Sequence, residues 1–159
     1  MDHLLALLRK DARISLEDAA KQLDLTPEQV AAQMEKLEES GVIRAYQAVV
    51  DEDRLEADTV TAVIEVRVQP EREGGFDRIA GRLARYDEVT SMYLMSGQYD
   101  LMLFVEGTDL RTIASFVSER LSSIPGVTGT ATHFRLKTYK HHGVLMDIED
   151  AHERLQVSP

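Results

Sequence analysis

The residues best suited to bind a small molecule lie in one short turn, Gly97–Asp100, with the sequence GQYD. Glycine lets a ligand approach the backbone closely because it has no Cβ. Asp100 places a carboxylate at the start of an apolar strand, where it can accept hydrogen bonds from an ammonium group. Thr130 and Thr132 share one face of the last predicted strand and supply hydroxyl groups. These residue types suit a zwitterion, whose carboxylate would meet backbone amides and whose amine would meet Asp100.

A purely structural explanation of the same residues stays open. Asp100 would then only close a turn, and the threonines would be present because β-branched residues favour strands. On the residue types alone this second interpretation is favoured. Other chemistry has less support, because the sequence shows no nucleophile–base pair and no phosphate-binding glycine loop, and its clustered histidines lack a carboxylate pattern for a metal. We therefore expect no enzyme activity, no cofactor and no metal site at His133, His141 and His142.

A second polar set lies on one predicted helix and just beyond its end, and suits contact with double-stranded DNA. Gln29 and Gln33 carry amides that can pair with adenine, while Lys36 and Arg44 can reach phosphates. Thr26, the predicted N-cap of this helix, belongs to the same DNA-facing set. Residues 1–45 hold six Lys/Arg against nine Asp/Glu. A single module of this charge would bind DNA weakly, so useful affinity requires several modules on one assembly.

Three predicted helices position that set in residues 1–45. The first ends near Lys10, and Ser15 is the N-cap of the second. Thr26 and Gln29 form a capping box at the start of the third, which ends before Gly41. Two helices around a short turn, preceded by a supporting helix, match the helix-turn-helix pattern. An arbitrary three-helix cap is the alternative on spacing alone.

The connector between the two halves is predicted to be a strand. Apolar residues recur between Val42 and Val50, and the charged run Asp51–Arg54 then interrupts them. The segment has no enrichment in Gly, Pro or Ser, which is typical of a structured linker rather than a flexible tether. We assign residues 46–58 to this linker strand.

Residues 59–140 are predicted to form one α+β domain. Thr59–Val68 alternates apolar and polar residues, Phe76–Tyr86 has helical spacing, and Val89–Thr108 is apolar on either side of a turn. Asp109 then caps a second helix, and Val127–Leu136 is the last strand. The end of a predicted helix is twice followed by a strand that begins with Val-Thr, and the two occurrences are 38 residues apart. Two such units in the order βαββαβ predict a ferredoxin-like sandwich.

The apolar pattern of the strand after the turn indicates how this domain assembles. Leu101, Leu103 and Val105 face one way, and Met102 and Phe104 face the other. A strand that is apolar on both faces needs a cover on each, but both helices of a ferredoxin-like fold lie on one face. A second copy of the chain is the expected cover of the other face.

Composition places the chain among globular proteins that are expected in the cytoplasm. Its 159 residues are 43% hydrophobic and 29% charged, with no cysteine. No apolar run reaches the ~18 residues of a membrane span, and no signal-peptide pattern opens the chain. The net charge of −10 argues against non-specific coating of nucleic acid. Residues 141–159 form a tail, with an acidic helix expected around Asp147, Glu149, Asp150 and Glu153.

The chain resembles the Lrp/AsnC (feast/famine) transcription regulators over nearly its whole length. The N-terminal motifs that carry the likeness are Leu4–Ser15 and Leu37–Tyr46; the C-terminal ones are Ser96–Leu101 and Ile124–Thr132. The resemblance implies a dimer built through ferredoxin-like domains, often assembled as four dimers in an octamer. It also implies an effector, commonly an amino acid, bound between dimers by Gly97, Tyr99, Asp100, Thr130 and Thr132.

These observations predict a sequence-specific DNA-binding regulator that responds to a small effector. Family members commonly carry arginine where this chain has Gln33 and Glu35, which implies weaker DNA binding here. An amino-acid-binding oligomeric sensor with weak or no DNA binding is therefore the alternative.

Overall fold

The computed structural model describes residues 2–55, 59–69 and 75–146. By its contacts the chain divides into two compact units, Met1–Val50 and Asp51–Pro159. The predicted acidic tail helix lies outside the described residues. Within the described part of the chain, no helix has the length and apolar character needed to cross a membrane.

The first unit is a bundle of three helices. They are α1 (His3–Lys10), α2 (Leu16–Leu23) and α3 (Pro27–Glu39). Each helix begins at an N-cap residue whose side chain accepts a hydrogen bond from an N–H group of the first turn. The three N-cap residues are Asp2, Ser15 and Thr26. The core of the unit consists of five buried side chains: Leu4, Leu8, Ala19, Ala20 and Val30. The predicted helix-turn-helix architecture is confirmed.

The two ends of α3 are fixed by local hydrogen bonds. Asp24 takes the left-handed conformation between α2 and α3, with φ of 56°. At the far end Gly41 has φ of 69°, and the N–H of Ile43 donates to the carbonyl of Leu37 over 2.9 Å. A left-handed residue just beyond the helix lets the chain reverse while its last carbonyls stay bonded, which glycine does without strain.

The connector differs from its prediction. Between α3 and Thr59 the described residues contain no strand; they hold an extended segment and a single 3-10 turn, Glu52–Arg54. Val42 and Val50 remain 59% and 47% exposed. An apolar run becomes a strand only when another strand accepts its backbone hydrogen bonds, and residues 42–50 have none in the single chain. The prediction of a linker strand is therefore wrong for this structure.

The second unit contains a four-stranded antiparallel sheet with helices on one face. Its elements are β1 (Val60–Val68), α4 (Asp77–Leu83), β2 (Val89–Leu94), β3 (Leu101–Gly107), α5 (Leu110–Ser115) and β4 (Val127–Phe134). The strands lie in the order β2-β3-β1-β4. A π-helical segment, Phe116–Leu121, continues α5, and a small hairpin follows as β5 (Lys140–His141) and β6 (Val144–Leu145). This order and topology confirm the predicted ferredoxin-like fold.

One face of the sheet carries the core of the unit. Ile64 and Leu103 are paired across β1 and β3 and are both fully buried. Helix residues Ile79, Leu83, Ile113 and Phe116 belong to the same buried cluster, so both helices cover this face. The predicted inward alternation of β1 and β3 is confirmed.

The opposite face of the sheet, here called the open face, is half apolar and half polar. On the β2–β3 side it presents Met102, Phe104 and Tyr93, the last two in edge-to-face contact with ring centroids 6.1 Å apart. On the β1–β4 side it presents Glu65 and His133, and the Oε2 of Glu65 lies 3.6 Å from the Nε2 of His133. Tyr93 is 52% exposed, so the described residues leave this part of the face uncovered.

Candidate effector and DNA-binding sites

The turn between β2 and β3 is closed by backbone and side-chain hydrogen bonds. The N–H of Met95 donates to the carbonyl of Asp100 over 2.8 Å, which brings the two strands together. Gly97 has φ of 149°, and a Cβ placed on it would meet no atom within 4 Å. The backbone of Gly97 is thus open to a ligand from the side where other residues carry a side chain.

Asp100 is bound to the neighbouring strand β1. One carboxylate oxygen, Oδ2, accepts from the N–H of Val68 over 2.7 Å, and the N–H of Asp100 donates to the carbonyl of Val66 over 3.0 Å. The pairing of β1 with β4 shifts register between Arg67 and Val68, so Asp100 satisfies a backbone group next to an irregularity of the sheet. The structural explanation of Asp100 therefore accounts for Oδ2. The other oxygen, Oδ1, accepts no hydrogen bond from the described residues.

Sequence reasoning missed Arg67. Its guanidinium carbon lies 5.4 Å from the centre of the Tyr99 ring, and its Nη2 donates to the carbonyl of Gln98 over 3.4 Å. A guanidinium binds carboxylates well, because its planar N–H groups match the two oxygens. Arg67 and Asp100 therefore place opposite charges close to Tyr99. Arg67 is 31 residues away from Gln98 in the chain, so no local motif links it to the turn. The alternation of β1 was the one sequence signal that could have suggested its position.

Thr130 and Thr132 lie at a distance from the turn. They pair with Val66 and Ile64 of β1, so they lie on the helix-side face of the edge strand β4 and are half-buried. Val66 also pairs with Leu101, so one strand separates Thr130 from the first residue of β3. Two interstrand spacings amount to ~10 Å. Within one chain the structure thus brings Gly97, Tyr99 and Asp100 together and leaves the two threonines apart from them.

The start of α3 uses part of the predicted DNA-facing set for its own stability. The Oγ1 of Thr26 accepts from the N–H of Gln29 over 3.3 Å, and the Oε1 of Gln29 accepts from the N–H of Thr26 over 2.8 Å. Bidentate pairing with adenine requires both the oxygen and the nitrogen of the amide. Gln29 can donate from its NH₂ group while the capping box is intact, but its oxygen is engaged.

The remaining DNA-facing residues differ in accessibility. Lys36 and Arg44 are exposed, and Gln33 is half-buried. The guanidinium of Arg44 packs over Gly41, where an added Cβ would lie 3.1 Å from its central carbon. At this end of α3 the Tyr46 hydroxyl donates to Glu38 over 2.7 Å, and this hydrogen bond raises the pKa of Tyr46.

The two units together define a class of protein: a helix-turn-helix module joined to a ferredoxin-like domain with a charged turn at one sheet end. Comparison with protein-family models agrees, since residues 3–44 match the winged helix-turn-helix DNA-binding model. Residues 61–145 match the model of the Lrp/AsnC ligand binding domain. The chain belongs to the Lrp/AsnC family of transcriptional regulators. It is accordingly a DNA-binding regulator, and its family and relatives point away from an enzyme.

Sequence relatives support the family assignment over most of the chain. The HTH-type transcriptional regulator YugG of Bacillus subtilis is 41% identical over 157 residues, which cover 98% of this chain and 95% of YugG. The regulator FL11 of Pyrococcus abyssi is 31% identical over 86% of this chain and 87% of its own length.

Solved structures show the same fold. A Neisseria meningitidis transcriptional regulator, solved as a complex with L-Met, is 25% identical with a TM-score of 0.70, covering 87% of this chain and 88% of its own. Escherichia coli AsnC is 22% identical with a TM-score of 0.67, and the match covers 93% of this chain and 97% of AsnC.

Proposed function

We propose that this chain regulates transcription in response to an amino-acid effector bound at the Gly97–Asp100 turn. The observation that carries the proposal is the pair of opposite charges at this corner, the Arg67 guanidinium and the Oδ1 of Asp100. An α-amino acid carries a carboxylate and an ammonium group that match them. The L-Met complex of the Neisseria meningitidis regulator supports an amino acid as the ligand class.

The effector shell is completed between copies of the chain. Gly97, Tyr99 and Asp100 would bind the polar end of the ligand, and Thr130 and Thr132 belong to the proposed shell as well. Because ~10 Å separates Thr130 from the turn within one chain, the threonines serve the ligand of a neighbouring copy. A site of this kind depends on assembly, so ligand binding and oligomeric state are coupled.

The homodimer of the proposal forms through the open face of the sheet. Met102, Phe104 and Tyr93 supply its apolar part, which a second copy would cover. Dimers then assemble further, to an octamer in the proposed arrangement. Light scattering on the wild-type chain and on Phe104→Glu tests this step: the variant is expected to lose the dimer, and an unchanged mass would refute it.

DNA binding in the proposal comes from the helix-turn-helix modules of one assembly. Thr26, Gln29, Gln33, Lys36 and Arg44 are the proposed contact residues. The informative experiment titrates the full chain into a labelled fragment from upstream of its own gene, with a random fragment of equal length as the control, at ~100 mM salt. Specific binding that changes when amino acids are added supports the proposal. Equal affinity for both fragments would contradict it.

An oligomeric amino-acid sensor with weak or no DNA binding is the second candidate. It is favoured by the acidic end of α3, where Glu35, Glu38 and Glu39 repel phosphates. This candidate predicts amino-acid-induced thermal stabilisation without any preference between the two DNA fragments.

A further inference from the structure

A β-bulge interrupts the pairing of strands β1 and β4. Arg67 pairs with Gly129, but the next residue of β1, Val68, pairs with Val127. Thr128 is therefore the extra residue, and it belongs to β4. Bulges of this kind redirect neighbouring side chains and are common beside functional sites. The side chain that this bulge can redirect is that of Arg67.

The peptide group between Arg67 and Val68 is held by two side chains. The hydroxyl of Thr128 donates to the carbonyl of Arg67 over 3.2 Å. The Oδ2 of Asp100 accepts from the N–H of Val68 over 2.7 Å. Because a peptide group is planar, bonds to its oxygen and to its nitrogen together fix the orientation of the whole plane. Thr128 and Asp100 thus act on the same peptide group.

The orientation of this peptide group decides where the Arg67 guanidinium lies. It sets the backbone angle ψ of Arg67, and with it the direction in which the side chain leaves β1. The hydrogen bond from the guanidinium to the carbonyl of Gln98 is long, at 3.4 Å, and holds it only weakly. The partner of Arg67 on β4 is Gly129, which has no side chain to support it. The guanidinium therefore depends on the backbone for its place 5.4 Å from the centre of the Tyr99 ring.

The same arrangement occurs a second time in the sheet. Thr90 is the extra residue at the bulge between β2 and β3, and its hydroxyl donates to the carbonyl of Phe104 over 3.3 Å. The Val-Thr pair that opens β2 and β4 thus places a threonine at each bulge. The carbonyl acceptor belongs to an apolar residue at the first bulge and to Arg67 at the second. Only the second bulge can position a charge.

We propose that Thr128 is a positioning residue of the effector site. Its hydroxyl holds the carbonyl of Arg67, and the bulge keeps the guanidinium beside Tyr99, where it binds the carboxylate of the amino acid. Thr128 acts through Arg67 and does not itself contact the amino acid. This role rests on the effector site proposed for the Gly97–Asp100 turn, whereas the position of Arg67 is measurable without an added amino acid.

Fluorine NMR of the full chain tests the position of the guanidinium. Incorporation of 3-fluorotyrosine labels the five tyrosines, and Tyr99→Phe assigns the Tyr99 resonance. Arg67→Gln removes the cation from the ring and shows where this resonance lies without it. Thr128→Val keeps the β-branched shape but lacks the hydroxyl, so it is expected to move the Tyr99 resonance toward the Arg67→Gln position. Thr128→Ser keeps the hydroxyl and should give the wild-type resonance.

Thr90→Val is the matched control, because it removes a hydroxyl-to-carbonyl bond of the same kind from the other bulge. It should leave the Tyr99 resonance unchanged. Thr128→Ala replaces Thr128→Val if the valine variant does not fold. A Tyr99 resonance that stays at its wild-type position without the Thr128 hydroxyl, or that moves equally in Thr90→Val, would overturn the proposal.

Amino-acid binding tests whether Thr128 acts through Arg67. The probe is the amino acid, among all twenty, that raises the Tm of the wild type most, and its Kd is measured by isothermal titration calorimetry. Thr128→Val is expected to weaken binding by about two- to tenfold, and Thr128→Ser should not. In the Arg67→Gln background Thr128→Val should have no further effect, because the group that it positions is gone. An equal further loss in that background would overturn the proposal.

Failure of the effector site itself gives a different result. A wild-type chain that none of the twenty amino acids stabilises would contradict amino-acid binding at the turn. The Tyr99 resonance would then still confirm or overturn the hold of Thr128 on Arg67.

Discussion

Replacing Asp100 separates its structural role from its proposed role in ligand binding. The two oxygens of this carboxylate have different partners, because Oδ2 accepts from the N–H of Val68 over 2.7 Å and Oδ1 is available to an ammonium group. Asp100→Ala removes both oxygens. Asp100→Asn keeps one oxygen as an acceptor for Val68 and removes the negative charge. The pair of variants thus tests the two roles one at a time.

The expected magnitudes follow from these contacts. In Asp100→Ala the half-buried N–H of Val68 loses its acceptor, which costs about 1.5–3 kcal/mol of unfolding free energy. For a domain of ~100 residues this lowers the Tm by roughly 7–14 °C. Asp100→Asn retains a neutral hydrogen bond and should lose under about 1 kcal/mol. The loss of the ammonium–carboxylate contact should nonetheless weaken effector binding about tenfold or more.

The assay is thermal unfolding of the wild-type chain and both variants, with and without each of the twenty amino acids. A ligand at 100 times its Kd stabilises the folded state by about 2.7 kcal/mol. If the Kd rises tenfold in Asp100→Asn, the same ligand concentration gives about 1.4 kcal/mol, so the ligand-induced shift should fall by about half.

Two outcomes would refute the reasoning. An Asp100→Asn protein that keeps the full ligand-induced shift shows that this carboxylate does not bind the ammonium group. An Asp100→Ala protein as stable as the wild type, without ligand, shows that the bond to Val68 does not hold the turn.

Further predictions concern the two units separately. Thr26→Ala should cost about 1 kcal/mol through loss of the N-cap of α3, whereas Thr26→Ser should be nearly neutral, as measured by chemical unfolding. Lys36→Gln should reduce the slope of log Kd against log salt concentration for DNA by about 0.9, and Lys140→Gln in the second unit should leave it unchanged. Leu103→Ala, fully buried under both helices, should cost about 2–5 kcal/mol in the same unfolding experiment. Asp109 caps α5, and the backbone N–H of Thr112 lowers the pKa of its carboxyl below the ordinary 3.8. This stabilisation is complete above pH ~4 and is lost as the pH falls through the lowered value, so the Tm difference between wild type and Asp109→Ala should shrink on acidification from pH 6 to pH 3.

The sequence predicted those parts of the fold that depend on local pattern. Alternation in β1, the caps at Ser15 and Thr26 and the repeated helix-to-strand junction each follow from residues near one another in the chain, and each is confirmed. The connector was mispredicted for the opposite reason. The apolar residues between Val42 and Val50 form a strand only if a distant strand accepts their hydrogen bonds, and the local sequence does not show whether such a partner exists.

The candidate site was less accessible to prediction because its contacts are long-range. The bond from Val68 to Asp100 joins residues 32 apart, and it lies next to a register shift in the pairing of β1 with β4 that no local pattern indicates. The contact of Arg67 with the turn is likewise long-range, since Arg67 and Gln98 are 31 residues apart. Gln29 shows a different difficulty, since one amide suits both a capping box and a base contact, and only the structure shows that its oxygen is engaged in the cap.

Strand β2 has a consequence for the solution behaviour of the chain. It lies at the edge of the sheet, and its six residues, VTSMYL, carry no charge and no proline. An uncharged edge with free backbone groups is a template on which another polypeptide can add a strand and begin to aggregate. The register shift between Val89 and Ser91 bends this edge and so hinders such addition. A single Lys in place of Thr90 adds a charge to this edge and should therefore reduce aggregation further.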